Sequence, residues 1–473
     1  MPLLLDSPAI ANLRAVEPSR VLRLEPDDFL LLVRQCPVLS SEVTRMMAAR
    51  VGRLTRFQVE HPAPTVTVTG DARDPSCHAL REFLSRNGVG FVWRDADTAT
   101  SVVLADGTRL ESPTFRRLAE AVDLQTEPRD GAYDVVIVGG GPAGLAAAVY
   151  GASEGLRTLL VERWAFGGQA GSSSRIENYL GFPGGLSGDE LSARARQQAR
   201  RFGAELVVSR GVERLEPGDP GAREPVHTVV LDDGSRVEAR TVILASGVEW
   251  RRLAVPGIER LIGHGVNYGA ARTEASRMQG RTVHVVGGGN SAGQAALLFA
   301  EYADSVTMLV RGRSLAASMS QYLIEQLERQ DNVRIETGVE VQGVAGEDAL
   351  EAIEVASDGG SRERRPSDAL FVLIGGEPQT GWLPEAVIRD QWGYVCTGRD
   401  VLDLLRERTA GAWPLERDPY LLETSAPGIL AVGDVRHASI KRCSAAVGEG
   451  STAIAVVHRY LAELQPRGVP ALG

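Results

Sequence analysis

Two glycine-rich loops, each set directly after a short apolar β-run, constrain this chain more than any other feature. The first is Gly139-Gly140-Gly141-Pro142-Ala143-Gly144, after Val135–Val138. At such a strand–loop–helix junction Gly139 permits the tight turn and Gly141 lets the backbone approach a pyrophosphate. Gly144 lets helix and strand pack closely. The pyrophosphate then lies on a helix N-terminus, where free N–H groups and the dipole favour negative charge. Glu162 ends the next strand, 18 residues after Gly144, where an acid accepts hydrogen bonds from an adenosine ribose. The second loop is Gly287-Gly288-Gly289-Asn290-Ser291-Ala292, after Thr282–Val286. Ala292 replaces the third glycine, which the motif tolerates. Its next strand, Val306–Val310, ends in Arg311, Gly312 and Arg313 rather than an acid. Arginine there suits a 2′-phosphate, so NADP is preferred, with NAD the alternative. The competing reading is that Arg311 and Arg313 are solvated surface charges. Two dinucleotide loops in one chain point to a flavin and a nicotinamide exchanging hydride.

The chain has 473 residues, enough for about three domains without disulfide or metal staples. A formal charge of −10 disfavours nonspecific nucleic-acid or anionic-membrane binding. Asp6 interrupts the apolar start and no long apolar run follows, so a cytoplasmic protein without membrane spans is expected. The cysteines are Cys36, Cys77, Cys396 and Cys443, and none forms a CxxC pair. Lys441 is the single lysine among 51 Lys and Arg residues, which fits an Arg-rich coding bias. It also fits a place where an ammonium is not replaceable by a guanidinium.

Patterning predicts a helical arm over 1–58, with an apolar stripe at Val43, Met46, Met47, Val51 and Leu54. A small α/β unit follows over 59–129, with Cys77 at a helix start as an ordinary half-buried side chain. From Tyr133 the grammar is alternating strands and helices.

Further segments resemble the low-molecular-weight thioredoxin reductases, from about Tyr133 to Tyr460. GGQAGSSSRIENYLGFP is similar to that family's flavin segment, in which Gly168, Gln169 and Asn178 contact FAD. Ala245, Ser246 and Gly247 in TVILASGVEW match its strand-and-turn signature, and FVLIGGEPQT resembles the end of its nicotinamide domain. TSAPGILAVGDVR is similar to its second flavin signature, with Gly433 and Asp434 at the cofactor. KRCSAAVGEGS then places Lys441, Arg442, Cys443 and Ser444 along the flavin ring. The resemblance implies an α/β protein with two Rossmann-like domains, the NAD(P) domain (251–376) inserted in an FAD domain (130–250 and 377–465). It also implies a homodimer. The N-terminal regions resemble a remnant of a cyclic-nucleotide-binding module and a thioredoxin- or glutaredoxin-like domain. Gly287, Gly289, Asn290, Ser291, Arg311 and Arg313 become the nicotinamide-site candidates.

One departure matters. Where the family keeps its redox dithiol, after Gly263–Tyr268, this chain reads Gly269-Ala270-Ala271-Arg272, with Thr273 in the place of the family's acid. The expectation is an FAD-dependent, NADPH-fed oxidoreductase that does not reduce disulfides through a CxxC and serves a small molecule or a redox protein. Lys441, Arg442, Arg272 and His437 are its candidate catalytic residues. The alternative is a non-catalytic or sensing FAD-binding protein that recruits a partner through its N-terminal domains. A third reading supplies the dithiol in trans.

Overall fold

The computed structural model describes residues 64–464 apart from 72–73, 174, 269–274, 358–359, 361 and 409–412. The helical arm and Cys36 lie outside the described residues, as do Arg272 and Thr273.

The large sheet is built around Ala132–Val138, whose residues Val135–Val138 are buried on both faces. A continuous apolar run with no polar side is what a parallel strand covered by helices requires. Across the sheet the order is Glu205–Val208, Thr158–Glu162, Ala132–Val138 and Arg236–Leu244, then His227–Leu231 and Val212–Glu216. The first four are parallel, His227–Leu231 runs against them, and Val212–Glu216 pairs antiparallel to it. Ile429–Ala431 adds in parallel to the end of Arg236–Leu244. Helices Pro142–Ser153 and Cys443–Glu463 cross on one face of this sheet. Their approach is set by Gly450, where a Cβ would meet the Ala143 carbonyl oxygen at 2.2 Å.

The chain leaves this sheet through Glu249–Trp250 and returns through Gly376–Glu377, two short strands paired antiparallel. Between them lies a five-stranded parallel sheet in the order Val266–Tyr268, Ala369–Val372, Thr282–Val286, Ser305–Val310, Val333–Thr337, with a three-stranded antiparallel sheet beside it. Two Rossmann-type domains, one inserted in the other, are therefore present. The small unit carries a mixed sheet in the order Gly90–Asp95, Pro64–Gly70, Ser101–Leu104, Arg109–Glu111. Its first pair is parallel and the rest antiparallel, with helices Pro75–Arg86 and Phe115–Ala121. Cys77 is completely buried in that unit's apolar core, not half-buried. Among the described residues no helix is long and apolar enough to cross a membrane.

Two buried histidines make the fold acid-sensitive. His227 is 1% exposed, and its Nδ1 accepts the Gly218 N–H at 3.1 Å, so the ring is held neutral. His284 is 4% exposed, with Nδ1 2.9 Å from the Ser367 hydroxyl. Burial pushes each imidazole from 6.5 down to about 4, with Arg365 adding to the effect at His284. The unfolded chain therefore binds more protons than the folded one below pH 6.5. Stability present above that pH is lost as pH falls toward 4, by roughly 3 kcal/mol per histidine. The denaturant midpoint should fall steadily from pH 7 to pH 4.5. His227→Gln should flatten that slope, and an unchanged slope would contradict this assignment.

Candidate functional site

The first loop separates its three glycines by role. Gly139 sits at φ +110°, and a Cβ there would meet the Ala245 carbonyl oxygen at 2.4 Å. Gly144 could carry no side chain, because its Cβ would lie 1.9 Å from the Gly139 carbonyl oxygen. Gly141 differs. It caps the helix in an extended conformation (φ −73°, ψ −176°), and the nearest atom to its Cβ position is the Gly168 Cα at 3.9 Å. The fold does not need glycine there; the open floor of a phosphate cradle does. Pro142 at the first helical position and the free N–H groups of that turn complete it.

The remaining flavin candidates converge on this floor. Gln169 donates from Nε2 to the Val248 carbonyl at 2.8 Å, tying the Gly168 segment to the Ala245–Gly247 turn. The Ser246 hydroxyl is buried without a partner, an orphaned group that suits a bound polar ligand. Gly433, at φ +70°, brings its backbone against Ala143, whose Cβ is 3.0 Å from where a Gly433 Cβ would stand. Glu162 accepts the Gly140 and Trp164 N–H groups at 2.7 and 2.9 Å, so it also braces the loop. Asn178 and Ser444 are both exposed. Tyr179, beside Asn178, lies close enough to Cys443 for the two to interact electrostatically. Burial pushes the Cys443 thiol up to about 11, so it is a neutral thiol at physiological pH rather than a nucleophile. These residues fit FAD.

Sequence reasoning missed three supports around Asp434. Glu449 accepts the Gly433 N–H at 2.6 Å and pairs with Arg436 at 2.6 Å, with both side chains largely buried. Burial pushes the Asp434 carboxyl above the ordinary aspartate range; the Lys441 ammonium opposes this and Glu449 adds to it. Lys441 donates to the Asp434 carbonyl at 2.6 Å and to the Ser439 hydroxyl at 3.0 Å, and its ammonium lies 4.5 Å from the Tyr394 ring centroid. His437 donates from Nδ1 to Asp390 at 2.8 Å, and Asp390 also accepts the Trp392 and Tyr394 N–H groups at 2.8 and 2.9 Å. A carboxylate fixed by backbone donors orients the imidazole and leaves Nε2 for proton transfer. The GEG triplet holding Glu449 was the available sequence signal. Asp390 carried none, being 47 residues away in sequence.

The second loop repeats the first. A Cβ on Gly287 (φ +140°) would meet the Leu373 carbonyl oxygen at 2.3 Å, while one on Gly289 would meet only the Ser318 carbonyl oxygen at 3.9 Å. Asn290 exchanges hydrogen bonds with Ser320 at 2.7 and 3.0 Å, and Ser291 is exposed beside it. Arg311 is 83% exposed, with Glu340 no nearer than 3.9 Å, and Arg313 is also exposed. Two residues past Ser320, burial raises the Tyr322 phenol, and Glu177 and Arg442 of the FAD domain act on it across the gap. Among the described residues no group of three or more His, Cys, Asp or Glu is arranged to hold a metal ion.

Residues 133–450 match the family described as pyridine nucleotide-disulphide oxidoreductase. The chain is 32% identical over 335 residues to a thioredoxin reductase of Treponema pallidum, covering 70% of this chain and 98% of the relative. It is also 32% identical over 332 residues to a bifunctional thioredoxin reductase/thioredoxin of Mycobacterium leprae, covering 70% of this chain and 66% of that relative. Among solved structures it is similar to the thioredoxin reductase of Lactococcus lactis in its FR conformation, with a TM-score of 0.61 and 26% identity. That match covers 70% of this chain and 99% of the other.

Proposed function

From the premise that the chain belongs to the pyridine nucleotide-disulphide oxidoreductase family, in its thioredoxin reductase-like branch, we propose an NADPH-fed, FAD-dependent oxidoreductase that works without an internal CxxC. Its electron acceptor is a small molecule or a redox protein. FAD and NADPH are the family's cofactors, and together they supply two-electron hydride chemistry. The observation that carries the reading is the pair of open-floored cradles at Gly141 and Gly289, one in each Rossmann-type domain.

The chain's own residues divide the remaining work. Gly141, Gly168 and Gly433 leave room for the FAD pyrophosphate, and the Ser246 hydroxyl and Asp434 face it. Lys441 fixes the Asp434 turn and places one positive charge beside it, where low hydration strengthens its effect. Arg442 faces the nicotinamide domain. His437, oriented by Asp390, holds or delivers a proton at Nε2 for an acceptor that needs one. Arg311 and Arg313 supply the 2′-phosphate charge. The 59–129 unit is read as a thioredoxin-like domain. Its parallel first pair followed by an antiparallel pair supports this, and Cys77 has no cysteine near it in sequence.

Anaerobic stopped-flow absorbance tests the proposal. NADPH should bleach the flavin of the wild-type protein within seconds. Arg311→Ala should raise the KM for NADPH about tenfold or more while changing that for NADH less than about twofold, as loss of one charge-assisted phosphate contact predicts. Turnover should appear with quinones or ferricyanide and not with small disulfides. A flavin that neither nucleotide reduces would favour the sensing alternative. Disulfide turnover by the protein alone would defeat the claim that no dithiol is used.

A further inference from the structure

We propose that Arg86, supplied by the small N-terminal unit, is a positioning residue for the flavin loop, fixing the carbonyls of Phe166 and Gly168. This rests on the reading of Gly168 and Gln169 as FAD contacts. Arg86 ends helix Pro75–Arg86 and is 8% exposed. Its Nη2 donates to the Gly168 carbonyl at 2.5 Å and, at the longer distance of 3.4 Å, to that of Phe166. The guanidinium lies over the Trp164 ring, 4.8 Å from its centroid, and Glu82 sits one turn back at 3.6 Å.

The loop is built to need such a donor. Gly167 and Gly168 are both left-handed, at φ +101° and +53°. The Gly167 carbonyl keeps a local donor, the Gly171 N–H at 2.9 Å, but the Ser172 N–H turns to the Gln169 carbonyl at 3.3 Å, so the Gly168 carbonyl takes its donor from outside the loop. On one side the Gly167 N–H donates to the Gly140 carbonyl at 2.8 Å, tying the loop to the first cradle. On the other side stands Arg86. A Cβ on Gly171 would come within 3.0 Å of Arg86 Nη2, so glycine there leaves the guanidinium its place. Arg196 lines the same seam, 5.7 Å from the Phe166 ring centroid and 7% exposed.

The unit's second attachment provides the contrast. Arg116 pairs with Asp232 at 2.6 Å and donates to the Ser209 carbonyl at 3.2 Å. Neither residue belongs to the flavin cradle. A guanidinium that only joins two units behaves like Arg116; Arg86 instead directs its donors to the carbonyls of the loop beside Gly141.

The test compares Arg86→Ala, Arg86→Lys and Arg116→Ala in the full chain. One readout is the FAD dissociation constant from flavin fluorescence. The other is amide hydrogen exchange of residues 166–171 in the flavin-free protein. Arg86→Ala should weaken FAD binding at least tenfold and speed loop exchange at least tenfold. Arg86→Lys, which keeps the charge on one nitrogen but loses the planar guanidinium over Trp164, should fall between and carries the test if the alanine variant does not fold. Arg116→Ala should lower the thermal midpoint yet leave both readouts within twofold of wild type. Wild-type values in the Arg86 variants, or equal changes in Arg116→Ala, would overturn the proposal. A wild-type protein that binds no FAD would instead defeat the FAD reading, and loop exchange would still judge Arg86.

Discussion

Gly141→Val should give a folded protein with no flavin, whereas Gly144→Ala should fail to fold well. The two glycines are three residues apart in one motif, and they fail for different reasons. A side chain at Gly144 collides with the Gly139 carbonyl at 1.9 Å, and backbone, not a flexible tip, would have to move. Displacing a strand–helix junction in the main core costs several kcal/mol, in the range of severe core substitutions. At Gly141 the backbone is extended, a conformation any residue adopts, and the Cβ position has only the Gly168 Cα at 3.9 Å. The valine therefore projects into the space that a pyrophosphate needs and into nothing else. The expected result for Gly141→Val is a flavin-free thermal midpoint close to that of flavin-stripped wild type, with FAD affinity reduced at least a hundredfold, about 2.7 kcal/mol or more. Absorbance at purification and titration with FAD measure it. Full occupancy in Gly141→Val would mean that the pyrophosphate lies elsewhere.

What the sequence made legible follows from locality. Strand, glycine loop and helix succeed one another within about a dozen residues, so the turn chemistry and the buried apolar run were readable together. The assembly of the site was not readable. Arg86 reaches Gly168 across 82 residues, and His437 finds Asp390 across 47. No periodicity records which loop carbonyl or carboxylate a distant side chain will meet. Cys77 shows the converse error: a helix start suggested partial exposure, but the sheet of the small unit covers it completely. The attachment of the segment around Arg417 is equally nonlocal, since Arg417 reaches Glu463 across 46 residues.

That attachment yields the largest stability effect expected from a single side chain. Glu423 is 1% exposed and carries four donors: Arg417 from two nitrogens at 2.6 and 3.0 Å, the Tyr420 N–H at 2.9 Å and the Gly428 N–H at 3.0 Å. Arg417 also reaches Glu463 on the C-terminal helix at 2.8 Å and lies over the Tyr420 ring, 4.0 Å from its centroid. Gly428 leads directly into Ile429–Ala431, the strand that delivers Gly433 and Asp434 to the cradle. Replacing Arg417 by Met keeps much of the stem but leaves a buried carboxylate without its cation. Breaking a buried pair from one side costs about 3–5 kcal/mol, because the stranded charge is the penalty. Glu423→Gln alone should cost less, since Arg417 keeps Glu463 and no charge is stranded, although the amide oxygen can retain only one of the Tyr420 and Gly428 N–H groups, which Glu423 accepts on different oxygens. Combined with Arg417→Met, it should recover part of the loss, and a coupling of about 1–3 kcal/mol marks residues in direct contact. Thermal midpoints of the four proteins measure the cycle, and FAD retention should fall in step with Arg417→Met. Strict additivity would show that the two side chains act independently and that the segment around Arg417 is held to the flavin domain by other contacts.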